Sequence, residues 1–346
     1  MDKALFRRKD LDALLSAMRT NAAAAERVAV FAPVRDAKSN STLFRLLEST
    51  SDMQLDGTNT LVSAKGLFFP QREILMRFSG PALSQAELPN GPFVVFGIRP
   101  CDARSLTWLD CVLQGGEQPD PYYQERRKNA LVIAAACDRP GPSCFCTSVG
   151  GSPYATAGAD ILMSAAKDDA LLFEAVTEKG RALLEANAAL FAEADERSIR
   201  EREERVAAAE RSMKVFDLVG VKEKLDAGIE SPLWDSLTRT CLGCGVCSFI
   251  CPACHCFDIT DETQGRNGVR VRSWDSCQFP RFTLHASGHN PRPLKKARVR
   301  QRIMHKFSYA VETAGTVFCS GCGRCVRSCP VDLDIREILA AFKDMP

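Results

Sequence analysis

The stretch Cys241-Leu-Gly-Cys244-Gly-Val-Cys247-Ser-Phe-Ile-Cys251-Pro252 decides how the rest of this chain reads. A near-copy with the same spacing stands at Cys319-Ser-Gly-Cys322-Gly-Arg-Cys325-Val-Arg-Ser-Cys329-Pro330. C-x2-C-x2-C-x3-C-P wraps a [4Fe–4S] cube: three thiolates come from one tight loop, and the fourth serves the other cluster. Cluster 1 is therefore expected on Cys241, Cys244, Cys247 and Cys329, and cluster 2 on Cys319, Cys322, Cys325 and Cys251. Glycines at 243, 245, 321 and 323 permit the tight turns, and Pro252 and Pro330 redirect the chain after each fourth ligand. Structural zinc is the competing chemistry. Zinc sites pair two short C-x2–4-C knuckles, whereas here four cysteines run together and end in proline.

Around this pair lie 346 residues, 45% hydrophobic and 25% charged, which leaves room for two domains. A formal net charge of +2 argues against a nucleic-acid binder. The 16 cysteines are the outlier. The N-terminal Met-Asp-Lys-Ala-Leu-Phe-Arg-Arg carries no apolar signal core, and no apolar run approaches the roughly 18 residues of a membrane span. A reducing cytoplasm is the expected location, with cysteine used for metal rather than disulfides.

Residues 1–180 read as an α/β domain with a mixed sheet. A helix is expected over 3–25, and buried strands at Val28–Val34, Phe93–Ile98 and Ala130–Ala136, with a helix over 103–113. Further short strands are expected at Asp160–Ser164 and Leu171–Ala175, and a strand or strand–turn–helix around Leu67–Phe78. Residues 181–230 read as a charged helical connector, supported by i,i+4 charge pairs. Residues 231–346 read as an α-helical dicluster ferredoxin domain, because Val299, Ile303, Phe307 and Val311 recur every four residues between the motifs. The other face of that helix carries Lys295, Lys296, Arg298, Arg300, Arg302 and Lys306. Such a face is either solvated or an electrostatic docking surface for an acidic partner.

Eight cysteines lie outside the two motifs. Cys101 and Cys137 each follow a buried strand, where α/β sheets present their ligands, and Cys144 and Cys146 sit on the loop after Cys137. These four are candidates for a third [4Fe–4S] cluster. The plainer alternative is buried, inert cysteine, which fits Cys111 within Trp108–Leu113 best. Cys254, Cys256 and Cys277 are candidates for a further cluster, with Asp102, His255 or Asp275 as an unusual fourth ligand. Alternatively they surround the sulfides of a neighbouring cluster and tune its potential.

An ordered series of motifs carries a family resemblance: Gly97-Ile-Arg-Pro-Cys-Asp102, Cys144-Phe-Cys146, Cys251-Pro-Ala-Cys-His-Cys256 and Trp274-Asp-Ser-Cys277. Ala286-Ser-Gly-His-Asn-Pro-Arg292 and His305-Lys306 continue it. The chain resembles the 4Fe-4S dicluster electron-transfer subunit of anaerobic sulfite reductase. It also resembles the β subunit of cytosolic NAD(P)-linked nickel–iron hydrogenases, the sulfhydrogenases. It is also similar to the iron–sulfur subunit of flavin oxidoreductases that feed heterodisulfide-reductase-like complexes. The resemblance runs from about residue 28 to the C-terminus and fades through 155–230. Gly-Ile-Arg-Pro-Cys-Asp and Leu67-Phe-Phe-Pro-Gln-Arg72 lie nearer the hydrogenase and heterodisulfide-reductase branch.

The resemblance implies an electron-transfer subunit with no catalytic residues of its own. It would relay single electrons through two or more [4Fe–4S] clusters, from a flavin subunit handling NAD(P)H to a terminal reductase or hydrogenase subunit. No Gly-x-Gly-x-x-Gly follows a strand, so no dinucleotide site is expected in this chain. The rival expectation is an oxidoreductase with its own catalytic site, at a cluster missing one thiolate.

Overall fold

The computed structural model describes residues 2–20 and 28–345. In chain order the first strands are β1 (Lys3–Arg7), β2 (Ala29–Asp36), β3 (Ser41–Leu46), β4 (Arg72–Ser79) and β5 (Ala82–Gln85). They are followed by β6 (Phe93–Ile98), β7 (Ala130–Ala135), β8 (Ile161–Ala165), β9 (Ala170–Ala175) and β10 (Phe191–Glu193). A late hairpin adds β11 (Phe257–Gln264) and β12 (Asn267–Trp274). The helices before the first cysteine motif begin with α1 (Leu11–Arg19), α2 (Lys65–Phe68), α3 (Pro100–Leu113), α4 (Pro121–Asn129), α5 (Glu178–Ala186) and α6 (Glu196–Arg211). Then come α7 (Val221–Ala227), α8 (Leu233–Thr238), α9 (Val246–Phe249) and α10 (Lys295–Met304). A π-helical turn at His305–Tyr309 leads into α11 (Ala310–Ala314), α12 (Arg324–Arg327) and α13 (Ile335–Lys343).

The chain forms two units. The first takes the described part of residues 1–64 with Pro89–Val215 and Ser320–Cys322. It is built on one eight-stranded sheet in the order β10-β1-β9-β8-β7-β6-β2-β3. The central neighbours β2, β6, β7 and β8 run parallel, and both flanks are antiparallel, so the sheet is mixed as expected. Val94, Phe96, Ile133 and Met163 supply its buried centre, and Leu14 and Leu15 of α1 join the same core.

The helix expected over 3–25 does not form as one piece. Ala4 and Phe6 alternate with less buried residues, which suits a strand better than a helix, and β1 pairs with β9 and β10. Phe6 packs between Phe173 and Phe191 at ring distances of 5.5 and 5.3 Å. The helix is confined to α1, and residues 21–25 lie outside those described.

The second unit takes Lys65–Leu88, Phe216–Cys319 and Gly323–Pro346. Its helices pack around Trp234, Ile303, Phe307, Leu339 and Phe342, all buried, with the rings of Trp234 and Phe342 4.3 Å apart. This region is not purely helical. It holds a four-stranded antiparallel sheet, β11-β12-β4-β5. The hairpin turns at Gln264-Gly-Arg-Asn-Gly268, and its outer strand β11 is exposed along its whole length. Residues around Leu67–Phe78, read as part of the N-terminal domain, pack here instead. Trp274 donates its indole N–H to the Phe69 carbonyl at 3.0 Å, and Arg272 pairs with Glu73 in a buried salt bridge.

The expected connector over 181–230 is divided as well. Residues to Val215 belong to the first unit, where β10 extends the sheet and Arg202 of α6 pairs with Glu174 of β9. From Phe216 the chain belongs to the second. The alternating charge of α6 therefore belongs to the first unit, tied to β9 by the Arg202–Glu174 pair. Among the described residues no helix is long and apolar enough to cross a membrane.

Candidate functional site

All 16 cysteines are described, and none forms a disulfide. In the second unit Cys241, Cys244, Cys247 and Cys329 line one cavity, together with Cys325. The loop 241–247 reaches this shape because Gly243 and Gly245 hold φ values of 70° and 75°, a region costly for residues with a Cβ. Backbone N–H groups of Gly243 and Leu333 donate to the sulfurs of Cys241 and Cys329, at 3.4 and 3.2 Å. Ile303, Ile338 and Val299 close the apolar side. Burial pushes the Cys247 thiol up to about 11, against the pull of the Arg302 guanidinium. Of the remaining motif cysteines, Cys251, Cys319 and Cys322 are all buried.

A second gathering of cysteines lies in the same unit. Cys251 and Cys254 perturb one another: beside Cys254 the Cys251 thiol is held well below its usual range, and that of Cys254 is pushed well above it. Cys256 and Cys277 do likewise, Cys256 pushed up and Cys277 falling to about 6. Gln278 adds an N–H to the Cys277 sulfur at 3.4 Å. His255 pairs with the Ala253 carbonyl at 3.2 Å, and Asp275 accepts from the Ser276 N–H at 2.6 Å.

The first unit holds a small cavity lined by Cys101, Cys137, Cys144 and Cys146, with Thr58, Asn59, Arg99, Gly321 and Cys322. Cys101 and Cys137 follow β6 and β7, which are parallel neighbours, so their positions meet at one sheet edge. The buried guanidinium of Arg99 ties this edge together. It donates to the carbonyls of Ala135, the last residue of β7, and Ala136, and to those of Leu55 and Gly57. The Phe145 N–H bonds the Gly321 carbonyl at 2.8 Å, and the Asn59 amide donates to the Cys322 carbonyl at 2.8 Å. Burial pushes the Cys146 thiol up to about 12, with the neighbouring Cys144 and Cys137 adding to it. Asp102, one fourth-ligand candidate, is buried in α3 of this unit, whereas Cys254, Cys256 and Cys277 belong to the other.

Two expectations need correction here. Cys111 is exposed rather than buried, because α3 turns Trp108, Leu109 and Leu113 inward and leaves Cys111 and Val112 outside. The basic face of α10 is not one solvated surface. Arg298, Arg302 and Lys306 are buried, while Lys296 and Arg300 pair with Asp235 and Glu230. Sequence reading also missed Lys65, which is buried beside Cys254 and stacks on Trp274. The signal available was a lysine directly before the Gly66-Leu-Phe-Phe run.

Soft thiolate donors select iron–sulfur clusters, zinc or copper(I). Among the described residues no three Cys, His, Asp or Glu side chains converge as they would on a single ion. The thiols instead ring two cavities, an arrangement that fits a polynuclear group. A family model described as a 4Fe-4S dicluster domain matches residues 240–333. Sulfhydrogenase 2 subunit beta of Pyrococcus furiosus is 33% identical over 320 residues, which cover 91% of this chain and 92% of that protein. Cysteine-ringed cavities, a dicluster iron–sulfur domain and a full-length relative lead to one conclusion: the chain belongs to the sulfhydrogenase β-subunit family of iron–sulfur electron-transport proteins.

Proposed function

We propose that the chain relays single electrons through three [4Fe–4S] clusters, between a flavin subunit that handles NAD(P)H and a terminal reductase or hydrogenase subunit in the cytoplasm. Cys241, Cys244, Cys247 and Cys329 would hold the first cluster, and Cys319, Cys322, Cys325 and Cys251 the second. Cys101, Cys137, Cys144 and Cys146 would hold the third, with Cys254, Cys256 and Cys277 packed around cluster sulfur rather than ligating. The observation that carries this reading is that cysteines ring one cavity in each unit: Cys241, Cys244, Cys247, Cys325 and Cys329 in the second, and Cys101, Cys137, Cys144, Cys146 and Cys322 in the first.

The bound clusters supply one-electron redox chemistry. The protein holds their thiolates, excludes water with Val299, Ile303 and Ile338, and donates backbone N–H groups to sulfur. The reading as one subunit of a larger complex rests on likeness to a protein named as a β subunit.

Anaerobically purified full-length protein tests it. About twelve irons per chain are expected, four to each cluster, with brown absorption that bleaches on reduction. The isolated chain should accept electrons yet reduce neither sulfite nor protons. Turnover by the isolated chain would replace this reading with an enzyme that has its own catalytic centre.

A further inference from the structure

Among the described residues of the second unit, Lys65, Arg302 and Lys306 are buried with no carboxylate for a partner. Lys65 is 4% exposed, Arg302 7% and Lys306 3%. An unpaired charge out of water costs many kcal/mol, so a buried cation normally keeps an anionic partner. The buried Arg272 of the same unit follows that rule, with Glu73 beside it. Lys65, Arg302 and Lys306 do not. Lys306 donates to the Cys251 sulfur at 3.4 Å and to the Phe318 carbonyl at 2.8 Å. Lys65 donates to the Cys254 carbonyl at 2.8 Å and lies 3.9 Å from the Trp274 ring centroid. Arg302 donates to the Cys247 carbonyl at 3.4 Å. Each therefore touches a cysteine that carries, or adjoins, expected ligation.

We propose that Lys306, supported by Lys65 and Arg302, raises the reduction potential of the cluster bound through Cys251 by holding fixed positive charge against its sulfur. This rests on the proposed role of Cys251 as a ligand. Reduction brings one electron from the preceding carrier, and no bond in the protein forms or breaks. A cluster held through Cys251 would gain negative charge on reduction, and the buried ammonium of Lys306, 3.4 Å from the Cys251 sulfur, would stabilise it. Net charge, hydrogen bonds to sulfur and solvent exposure are the levers that set such potentials, and this arrangement uses all three. The π-helical turn that begins at His305 carries Lys306 to this position, one turn beyond Arg302. Lys306 is thus a positioning residue for charge, and it contributes no ligand.

The test is an electron paramagnetic resonance redox titration of the full chain, comparing wild type with Lys306→Met, Lys306→Arg and Cys251→Ser. In Lys306→Met the iron count should hold. One reduced signal should shift downward, changing its reduced-to-oxidised ratio at a fixed potential by about tenfold, or about 59 mV for one electron. That signal should be the one that Cys251→Ser removes, and Lys306→Arg should restore its midpoint. If Cys251→Ser removes a signal whose midpoint Lys306→Met leaves unmoved, the proposal is wrong and the ligation reading survives. If Cys251→Ser removes no signal, the ligation reading falls and this proposal with it. Should Lys306→Met not fold, Lys65→Met decides. It should shift the same signal down by less, because Lys65 bonds a carbonyl rather than sulfur, and an unmoved midpoint would overturn the proposal.

Discussion

The two cysteine-ringed cavities are made in different ways. In the second unit, three of the lining cysteines come from seven consecutive residues, 241–247, shaped by two glycines in the left-handed region. In the first unit, Cys101 and Cys137 come from the ends of separate parallel strands, and Gly321 and Cys322 arrive from a segment more than 170 residues further on. One site is largely a property of a loop. The other exists only once a sheet has assembled and Arg99 has bridged its edge. Local sites survive local damage elsewhere, whereas assembled ones inherit every weakness of their frame.

Ligand removal should give the largest effects and separates the two cavities outright. Cys144→Ser should lower the iron content by about four per chain and leave the dicluster signals in place. Cys329→Ser should abolish one dicluster signal and leave the first unit's cluster intact. Loss of iron from both regions in either variant would show that the cavities are not independent sites. The fourth-ligand exchange sharpens this within the second motif pair, since Cys251→Ser should damage the cluster of 319–325 and spare that of 241–247.

Glycine substitutions test how each cavity is supported. A Cβ at Gly321 would come within 2.5 Å of the Cys146 backbone, at a φ of +62°. Backbone cannot swing aside as a side chain can, so Gly321→Ala should cost more than the ~1–2 kcal/mol of left-handed strain and deplete iron in the first unit. Gly243 has similar φ, yet its Cβ would meet nothing closer than the Gln278 carbonyl at 3.6 Å. Gly243→Ala should therefore cost only the strain, about 1–2 kcal/mol, with iron retained. Urea denaturation with parallel iron assays distinguishes the two. Equal losses for both would mean that the assembled cavity is no more fragile than the local loop.

Cys111 supplies the smallest effect. It is exposed on α3 and lines neither cavity, so Cys111→Ser should change stability by less than about 0.5 kcal/mol and leave iron and spectrum untouched. A loss of iron from this variant would redraw the ligand set of the first unit.

Much of this protein was already legible along the chain. The paired cysteine spacings named the chemistry, because a loop that wraps a cluster is encoded by near neighbours and needs no distant contact. The buried strands at 93–98 and 130–135 were readable as short apolar runs, and with them came the placing of Cys101 and Cys137 at their ends. Tertiary structure alone decided the remainder. Periodicity put Arg302 and Lys306 on the polar face of one helix, but a cation's surroundings depend on what packs against it, and here that is cysteine sulfur and backbone rather than water. The hairpin β11–β12 passed unread beside the cysteines, and its pairing with β4 joins residues nearly 200 positions apart. Spacing records what a chain does within a few turns. Which distant strand completes a sheet, and which lysine ends up buried without a carboxylate, follows from the free energy of the whole packed unit.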